Sequence, residues 1–275
     1  MIEYFEFYRN QLLLGTAVGS IVAAFGVFVL LQRMVFFGLT LAQAATCAVA
    51  VSLMKGWHSE FVILGLGLAF MTPFFALRQS RPPNMDAILL IGMMFFTAVS
   101  QLLLAFGGNV QNHLLTAFFG NILTVDRDEW VHFLPWGISL TLLFVLLYRN
   151  FTAVFFDRDQ AKLDGYHVYT TESIFFVLLS ISLGLAINLL GSFYAVSHLI
   201  LPALFGITIT RSLPAAILLS VIYSAAGTAL GFSLSLLPLN LSGETIHLPT
   251  SSTIILVLCA GLLAIPVIRL AFRKE

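Results

Sequence analysis

Apolar residues along this chain come in long unbroken blocks separated by short polar stretches. The blocks do not alternate between apolar and polar positions, so they predict helices rather than the strands of a membrane barrel. About 20 residues of helix cross roughly 30 Å of hydrocarbon. Predicted spans cover 11–31, 35–54, 61–77, 87–106, 130–148, 173–190, 193–210, 213–237 and 251–271. The apolar piece Leu114–Val125 is too short to be a span and is predicted to be re-entrant or interfacial.

The composition agrees with a membrane protein. Hydrophobic residues make up 59% of the chain and charged residues 9%, whereas a soluble domain has about 25% charged residues. We therefore expect an all-α fold, a polytopic helix bundle with about 8–9 transmembrane helices, in a single transmembrane domain over residues 1–275. The formal net charge is zero, so nothing indicates nucleic-acid binding. Cys47 and Cys259 lie inside apolar blocks, which argues against a disulfide framework.

Lysine and arginine predict the direction of the spans, because they are enriched in cytoplasmic loops. If the N-terminus is outside and Leu114–Val125 does not cross, the cytoplasmic cations are Arg33, Arg78, Arg81, Arg149, Arg158, Lys162, Arg211, Arg269, Arg273 and Lys274. The cations left outside are Arg9, Lys55 and Arg127. We therefore expect a multi-pass protein of the inner or plasma membrane whose N-terminus is outside and whose C-terminus is cytoplasmic.

Apart from Arg269, close to the end of the last one, the predicted spans contain no charged residue. A charge at the bilayer centre costs about 2.5–3.5 kcal/mol on insertion scales, and such a residue usually marks an ion path. A carrier driven by protons normally needs such a group. The pattern therefore favours a permease that is driven from outside its own helices.

One predicted span, in the stretch "RMVFFGLTLAQAATCAVAV" that begins at Arg33, carries a cluster of neutral polar residues. Gln43 and Cys47 are four residues apart and Thr40 lies one turn from Gln43, so the three share a helix face. This face is a candidate lining of a substrate pathway. The alternatives are that Gln43 only bonds a neighbouring helix and that Cys47 is a small buried hydrophobe.

Five stretches, in order along nearly the whole chain, resemble motifs of the zinc- and manganese-uptake ABC permeases. They are "RMVFFGLTLAQAATCAVA", "AFFGNILTVDRDEW", "FDRDQAKLDGYHV", "LGSFYAVSHLILPALFGITITRSL" and "HLPTSSTIILVL". The resemblance implies the permease subunit of an ABC importer, which takes up divalent zinc, manganese or iron by ATP-driven alternating access. It also implies separate ABC ATPase subunits, an extracytoplasmic substrate-binding protein, a second permease subunit in a homo- or heterodimer, and surrounding membrane lipid. Since no Gly-rich phosphate loop with Lys occurs, we expect neither enzyme activity nor a cofactor in this chain.

The resemblance places the family's ion ligands at three positions where this chain differs. The family's Asp is Leu39 here, its His is Gln43, and its later Asp is His247. Because transition metals favour anionic or imidazole ligands, the face that bears Gln43 predicts at most a weak, neutral site. Alternative cargoes are therefore a metal chelate or a small organic solute. A third reading is a membrane protein that couples an ATPase to another task without transport.

Two histidines are further candidates for the pathway. His198 lies in a predicted span, where a neutral histidine is costly enough to indicate a role; its alternative is a hydrogen bond between helices. His247 lies in a predicted outer loop, near the mouth of the pathway, and its alternative is a solvated loop residue. The sequence assigns no complete set of metal ligands.

The segment that follows Pro202, "ALFGITITRSLP", is the candidate contact with the ATPase. The resemblance implies a coupling helix with Pro202, Ala203, Gly206 and Arg211. Pro202 is expected to break the preceding span, and Gly206 to permit close approach of the partner. The alternative is an ordinary turn between two spans. The predicted cytoplasmic loop 149–173 is expected to add contacts.

The predicted topology puts position 55 outside the cell and position 211 in the cytoplasm. In a chain whose own cysteines are replaced by alanine, Lys55→Cys should react with a membrane-impermeant thiol reagent added to intact cells. Arg211→Cys should react only after the membrane is opened, because the reagent cannot reach cytoplasmic loops. Labelling of position 211 in intact cells would contradict the orientation.

Overall fold

The computed structural model describes residues 8–55, 84–104, 127–237, 239–241, 244–246 and 248–272, with the single positions 62, 65, 69 and 122. The helices are α1 (Arg9–Leu31), α2 (Val35–Lys55), α3 (Met85–Leu104), α4 (Arg127–Phe156), α5 (Arg158–Leu163), α6 (Val168–Leu190), α7 (Ser192–Ile209), α8 (Leu213–Ser235) and α9 (Thr250–Phe272). Two short antiparallel strands, β1 (Leu239–Leu241) and β2 (Glu244–Ile246), form a hairpin between α8 and α9. The expected helical membrane bundle is confirmed, and the hairpin is an unpredicted addition.

The predicted spans coincide with helices wherever the chain is described. Among these residues, seven helices are long and apolar enough to cross a membrane, namely α1–α4 and α6–α8. α9 adds the shorter apolar helix Thr250–Ile265. The predicted span 61–77 lies outside the described residues apart from three single positions, and Leu114–Val125 lies outside them apart from Ile122.

Some of these helices contain charged residues that the predicted spans left out. The most deeply buried is Glu172, with 2% of its surface exposed, because α6 begins at Val168 rather than at residue 173. Arg158 forms an ion pair with it, with 3.4 Å between Nη2 and Oε2. A partner of opposite charge offsets part of the cost of burying the carboxylate, and hydropathy alone does not reveal such a partner.

Contacts between α2 and α3 show that the two helices run in the same direction. Thr40 Oγ1 lies 2.7 Å from the carbonyl oxygen of Leu89, and further along both helices Thr97 Oγ1 lies 3.2 Å from Gln43 Oε1. The end of α2 at Lys55 and the start of α3 therefore lie at opposite ends of the bundle. This arrangement agrees with the predicted span 61–77, which would connect the two ends.

The other long helices follow an alternating course. α7 runs parallel to α1, since His198 lies beside Gly19 and Ala203 beside Gly26. α8 returns antiparallel to α7 and brings Ala216 against Gly206. α9 is antiparallel to α8, because Ser235 near the end of α8 bonds Thr250 at the start of α9. The start of α1 and the end of α9 therefore lie at opposite ends of the bundle.

Five of the predicted cytoplasmic cations share one end of the bundle, where α1, α4 and α7 finish. They are Arg33, Arg149, Arg158, Lys162 and Arg211. Arg9 lies at the opposite end, at the start of α1. We call the end where α1, α4 and α7 finish the cation-rich end. Its assignment to the cytoplasm stays a prediction.

Phenylalanine rings hold α1, α4 and α6 together. Phe144 of α4 meets Phe25 and Phe28 of α1, with 4.8 and 5.9 Å between ring centroids. Phe175 of α6 meets Phe155 of α4 edge to face at 4.8 Å. Each such pair is worth about 0.5–1.5 kcal/mol beyond the area that it buries. The cluster fixes the cation-rich half of these three helices.

Glycines let other helices touch through their backbones. A Cβ atom on Gly26 of α1 would collide with the carbonyl oxygen of Leu199 in α7, and one on Gly231 of α8 would collide with the backbone of Ile254 in α9. In lipid, where apolar side chains gain little by leaving the solvent, such close packing is what holds helices together.

Candidate functional site

The predicted polar face of α2 packs against α3. Thr40 is fully buried, and its hydroxyl lies 2.7 Å from the carbonyl oxygens of both Phe36 and Leu89. Cys47 is buried as well, and its side chain lies near that of Ser100 in α3. Both residues therefore lie at the contact between two helices of the same chain. Their role in a pathway stays a prediction.

Gln43 is the member of this cluster that reaches beyond the α2–α3 contact. It is half-buried, as is Leu39 one turn earlier, so the two lie on the part-open side of an otherwise buried helix. Its amide oxygen lies 3.2 Å from Thr97 Oγ1 of α3. The helical spacing identified Gln43, but Thr97 was missed, because a single threonine in an apolar block gives no signal of its own.

His198 lies in a second polar cluster, which joins α1, α7 and α8. The imidazole is completely buried, with Nε2 2.9 Å from Thr228 Oγ1 and Nδ1 3.0 Å from the carbonyl oxygen of Tyr194. Tyr194 stacks on the imidazole, and its hydroxyl donates to the carbonyl oxygen of Gly15 at 2.9 Å. The same hydroxyl lies 3.2 Å from Thr228 Oγ1.

These contacts define the tautomer of His198. A carbonyl oxygen only accepts hydrogen bonds, so Nδ1 carries the proton and donates to Tyr194. In the neutral ring Nε2 then accepts the hydroxyl proton of Thr228. Every polar atom of the ring has a partner inside the chain, as burial in an apolar bundle requires. The cluster therefore matches the alternative of a helix-to-helix hydrogen bond, and the predicted pathway role of His198 is untested.

Glycine backbone on α1 makes room for this cluster. A Cβ atom on Gly19 would meet His198 Nε2 and the Tyr194 hydroxyl, each at 3.0 Å. The sequence offered one usable signal: Tyr194 and His198 are four residues apart, on the same face of one helix. Thr228 comes from another helix, so no local pattern could identify it.

Acidic, thiol and imidazole groups do not gather into a metal site in the part of the chain that the structure describes. No group of three or more His, Cys, Asp or Glu side chains that could hold a metal ion occurs there. His247, a predicted pathway residue, lies outside the described residues. What α2 offers an ion is the neutral amide of Gln43.

The predicted break at Pro202 is wrong. α7 continues through Pro202 and Ala203 to Ile209, and both residues are buried. Gly206 is buried too, and a Cβ atom on it would collide with the carbonyl oxygen of Ala216 in α8. The close approach at Gly206 therefore brings together two helices of the same chain, which local sequence could not distinguish from an approach by a partner.

Arg211 remains accessible among the predicted coupling residues. It lies in the turn between α7 and α8, where Thr210 Oγ1 donates to the carbonyl oxygen of Ser212 at 3.0 Å. This turn is at the cation-rich end of the bundle. The exposed side chains next to it are Thr208, Ile209, Ser212 and Pro214.

A short helix at the same end presents apolar side chains to the surroundings. α5 is capped by Asp157, whose Oδ1 accepts from the backbone N–H groups of Asp159 and Gln160 at 3.1 and 2.9 Å. Leu163, the last residue of α5, is 82% exposed. Phe156, the last residue of α4, is 67% exposed. We call Phe156–Leu163 the α5 surface.

Arg158 holds α5 against α6. Besides the ion pair with Glu172, its guanidinium carbon lies 5.2 Å from the centre of the Tyr169 ring. Because Glu172 is buried and Tyr169 is one turn before it, the arginine is held between a carboxylate and a ring. These two contacts of Arg158 therefore hold the α5 surface in place against α6.

Comparison with known proteins identifies a family and a fold. The family model described as the ABC 3 transport family matches residues 4–268. The manganese import system permease protein ScaB of Streptococcus parasanguinis is 27% identical over 86% of this chain and 85% of its own length. The high-affinity zinc uptake system membrane protein ZnuB of Buchnera aphidicola is 28% identical over 70% of this chain and 74% of its own length.

Two solved structures share the fold. PsaBC from Streptococcus pneumoniae, in complex with Fab, superposes with a TM-score of 0.79 at 24% identity and covers 96% of this chain and 94% of that one. An inward-facing conformation of a putative metal-chelate type ABC transporter superposes with a TM-score of 0.74 at 16% identity, over 94% of this chain and 85% of that one. The described helices therefore share the fold of these two structures.

The cluster around His198 predicts a specific loss of stability. Thr228→Val keeps the shape of the side chain but leaves Nε2 of a buried imidazole without a partner, at a cost of about 1–2 kcal/mol. We expect a lower thermal unfolding midpoint for the purified protein, and Thr228→Ser should restore most of it. Thr141→Val is the control, because that hydroxyl bonds only the Gly137 carbonyl of its own helix. Equal midpoints for Thr228→Val and the control would contradict the assignment.

Proposed function

Because the chain belongs to the ABC 3 transport family, we propose that it is the membrane-spanning permease subunit of an ABC importer for a divalent transition metal. The match of the family model over residues 4–268 carries this proposal. The relatives named for zinc and manganese uptake align over most of their own length, which supports a metal as cargo. ATP hydrolysis then belongs to a separate subunit.

The complete importer would contain two permease subunits, two ATPase subunits and an extracytoplasmic binding protein. The binding protein would release its metal at the end of the bundle where α1 begins, and the ATPases would bind the cation-rich end. This orientation agrees with the preference of cations for the cytoplasm. Alternating access would then open the pathway first to one end and afterwards to the other.

We place the ATPase contact on the α5 surface and on the turn that contains Arg211. Pro202, Ala203 and Gly206 are buried in the chain's own helix packing, so they are unsuited to a partner. Leu163 and Phe156, by contrast, expose apolar surface next to charged residues at the end where the ATPase is expected. Apolar surface that is ringed by charges is typical of a protein contact. Arg158 would transmit force from α5 into α6 through Glu172.

Metal uptake tests the function directly. In cells that lack their own zinc and manganese importers, the chain is produced with its ATPase and binding protein, and entry of ⁶⁵Zn²⁺ and ⁵⁴Mn²⁺ is measured. We expect uptake of at least one metal above the level of cells without the permease, and loss of that uptake when the ATPase carries an inactivating substitution. Uptake of neither metal would contradict the proposal.

A change on the α5 surface should separate the permease from the ATPase. Because Leu163 is 82% exposed, Leu163→Asp should leave the fold intact while placing a charge in an apolar contact. We expect co-purification of the ATPase and metal uptake to fall about tenfold, which corresponds to about 1.4 kcal/mol. For co-purification of the ATPase, the control is Leu237→Asp, just after α8 at the other end of the bundle. Normal co-purification with Leu163→Asp would show that the ATPase binds elsewhere.

A further inference from the structure

The position of Gln43 in the membrane is unusual for an amide that is not fully enclosed. It lies eight residues after Val35, about 12 Å along α2 at 1.5 Å per residue, and is therefore well inside the span. The amide is half-buried, and next to it on the open side lies the apolar side chain of Leu39. An amide facing lipid at this depth would lack hydrogen-bond partners. The open side of Gln43 is therefore better suited to water or another polar group than to lipid.

The contacts of Thr97 favour one orientation of the Gln43 amide, the reverse of the one in which Oε1 faces Thr97. Its hydroxyl has one proton and lies between two oxygens, 2.8 Å from the carbonyl of Met93 and 3.2 Å from Gln43 Oε1. The shorter contact takes the proton, which leaves two oxygen atoms facing each other at Gln43. Turning the amide by half a rotation removes this conflict, because its NH₂ group then donates to Thr97 Oγ1. In that orientation Oε1 points away from Thr97.

We propose that Gln43 Oε1, turned outward by Thr97, is a contact for the water shell of a metal ion in transit. The proposal rests on the function proposed above and names the form of the cargo: a divalent cation that keeps its bound water at this depth. Water bound to a divalent cation is a strong hydrogen-bond donor, and an amide oxygen accepts such bonds without entering the coordination sphere. Gln43 is then a binding residue for the hydrated cargo, and Thr97 positions it.

The chemistry of the surrounding face favours an indirect contact over direct ligation. Leu39 carries no ligand atom, the hydroxyl of Thr40 is bonded to backbone carbonyls, and the thiol of Cys47 is buried against Ser100. On this face of α2 a bare transition metal would meet one neutral oxygen, which replaces little of its hydration. A weak contact through water also lets the ion leave again, as conduction requires.

The test compares zinc and manganese in the same variants. Gln43→Met keeps the length of the side chain and removes the acceptor, while Gln43→Glu keeps an acceptor oxygen. Thr97→Val removes the group that turns the amide, and Thr97→Ser restores it. Thr152→Val in α4 is the control, since that hydroxyl bonds only the Tyr148 carbonyl of its own helix. Uptake of ⁶⁵Zn²⁺ and ⁵⁴Mn²⁺ is measured against metal concentration, at matched amounts of protein in the membrane.

Because the water shell is the same in kind for both metals, Gln43→Met should lower zinc and manganese uptake by the same factor, about fivefold for one lost hydrogen bond. Gln43→Glu should retain uptake of both. Thr97→Val should raise the concentration for half-maximal uptake about threefold with the maximal rate unchanged, and Thr97→Ser and Thr152→Val should behave as the unmodified chain.

Three results would overturn the proposal. Unchanged uptake in Gln43→Met would remove Gln43 from the pathway while leaving the proposed function standing. Zinc and manganese uptake that fall by clearly different factors would indicate direct ligation, because the two metals differ in their preference for ligands. Uptake of neither metal by the unmodified chain would overturn both this proposal and the function on which it rests.

Discussion

Hydrocarbon offers no hydrogen-bond partner, and the polar interior of this bundle follows from that constraint. The hydroxyl of Thr40 bonds a carbonyl on α3, the hydroxyl of Tyr194 bonds a carbonyl on α1, and His198 has partners for both ring nitrogens. Each of these bonds joins groups that would otherwise be unpaired in an apolar medium. Together with the backbone contact at Gly26, they fix which helices are neighbours.

The same constraint explains how much of the fold could be predicted. A span must be apolar and about 20 residues long, so hydropathy located the helices without any knowledge of packing. It misplaced the beginning of α6, because the charge of Glu172 is tolerated through its pairing with Arg158, a residue 14 positions earlier. The expected break at Pro202 came from the proline rather than from hydropathy, and it was wrong, since helix packing within a bundle stabilises a helix that contains a proline.

The candidate site could be predicted only in part, because helical spacing tells which residues share a face but not what that face meets. Thr40, Gln43 and Cys47 do lie together, yet two of them are enclosed by α3, and Gln43 alone reaches the open side. Thr97 and Thr228 come from helices distant in sequence and carry no local signal. The exposure of Leu163 depends on how α5 packs against α6, which the order of its residues does not disclose.

The contact between Gly26 and the backbone of Leu199 has a mechanical consequence for any transporter with two conformations. With no side chain between them, α1 and α7 cannot slide past each other without first separating, and separation would also break the bond from Tyr194 to Gly15. The two helices therefore form one stiff unit. A change of access then has to move this unit relative to the helices around it, because the unit itself does not deform.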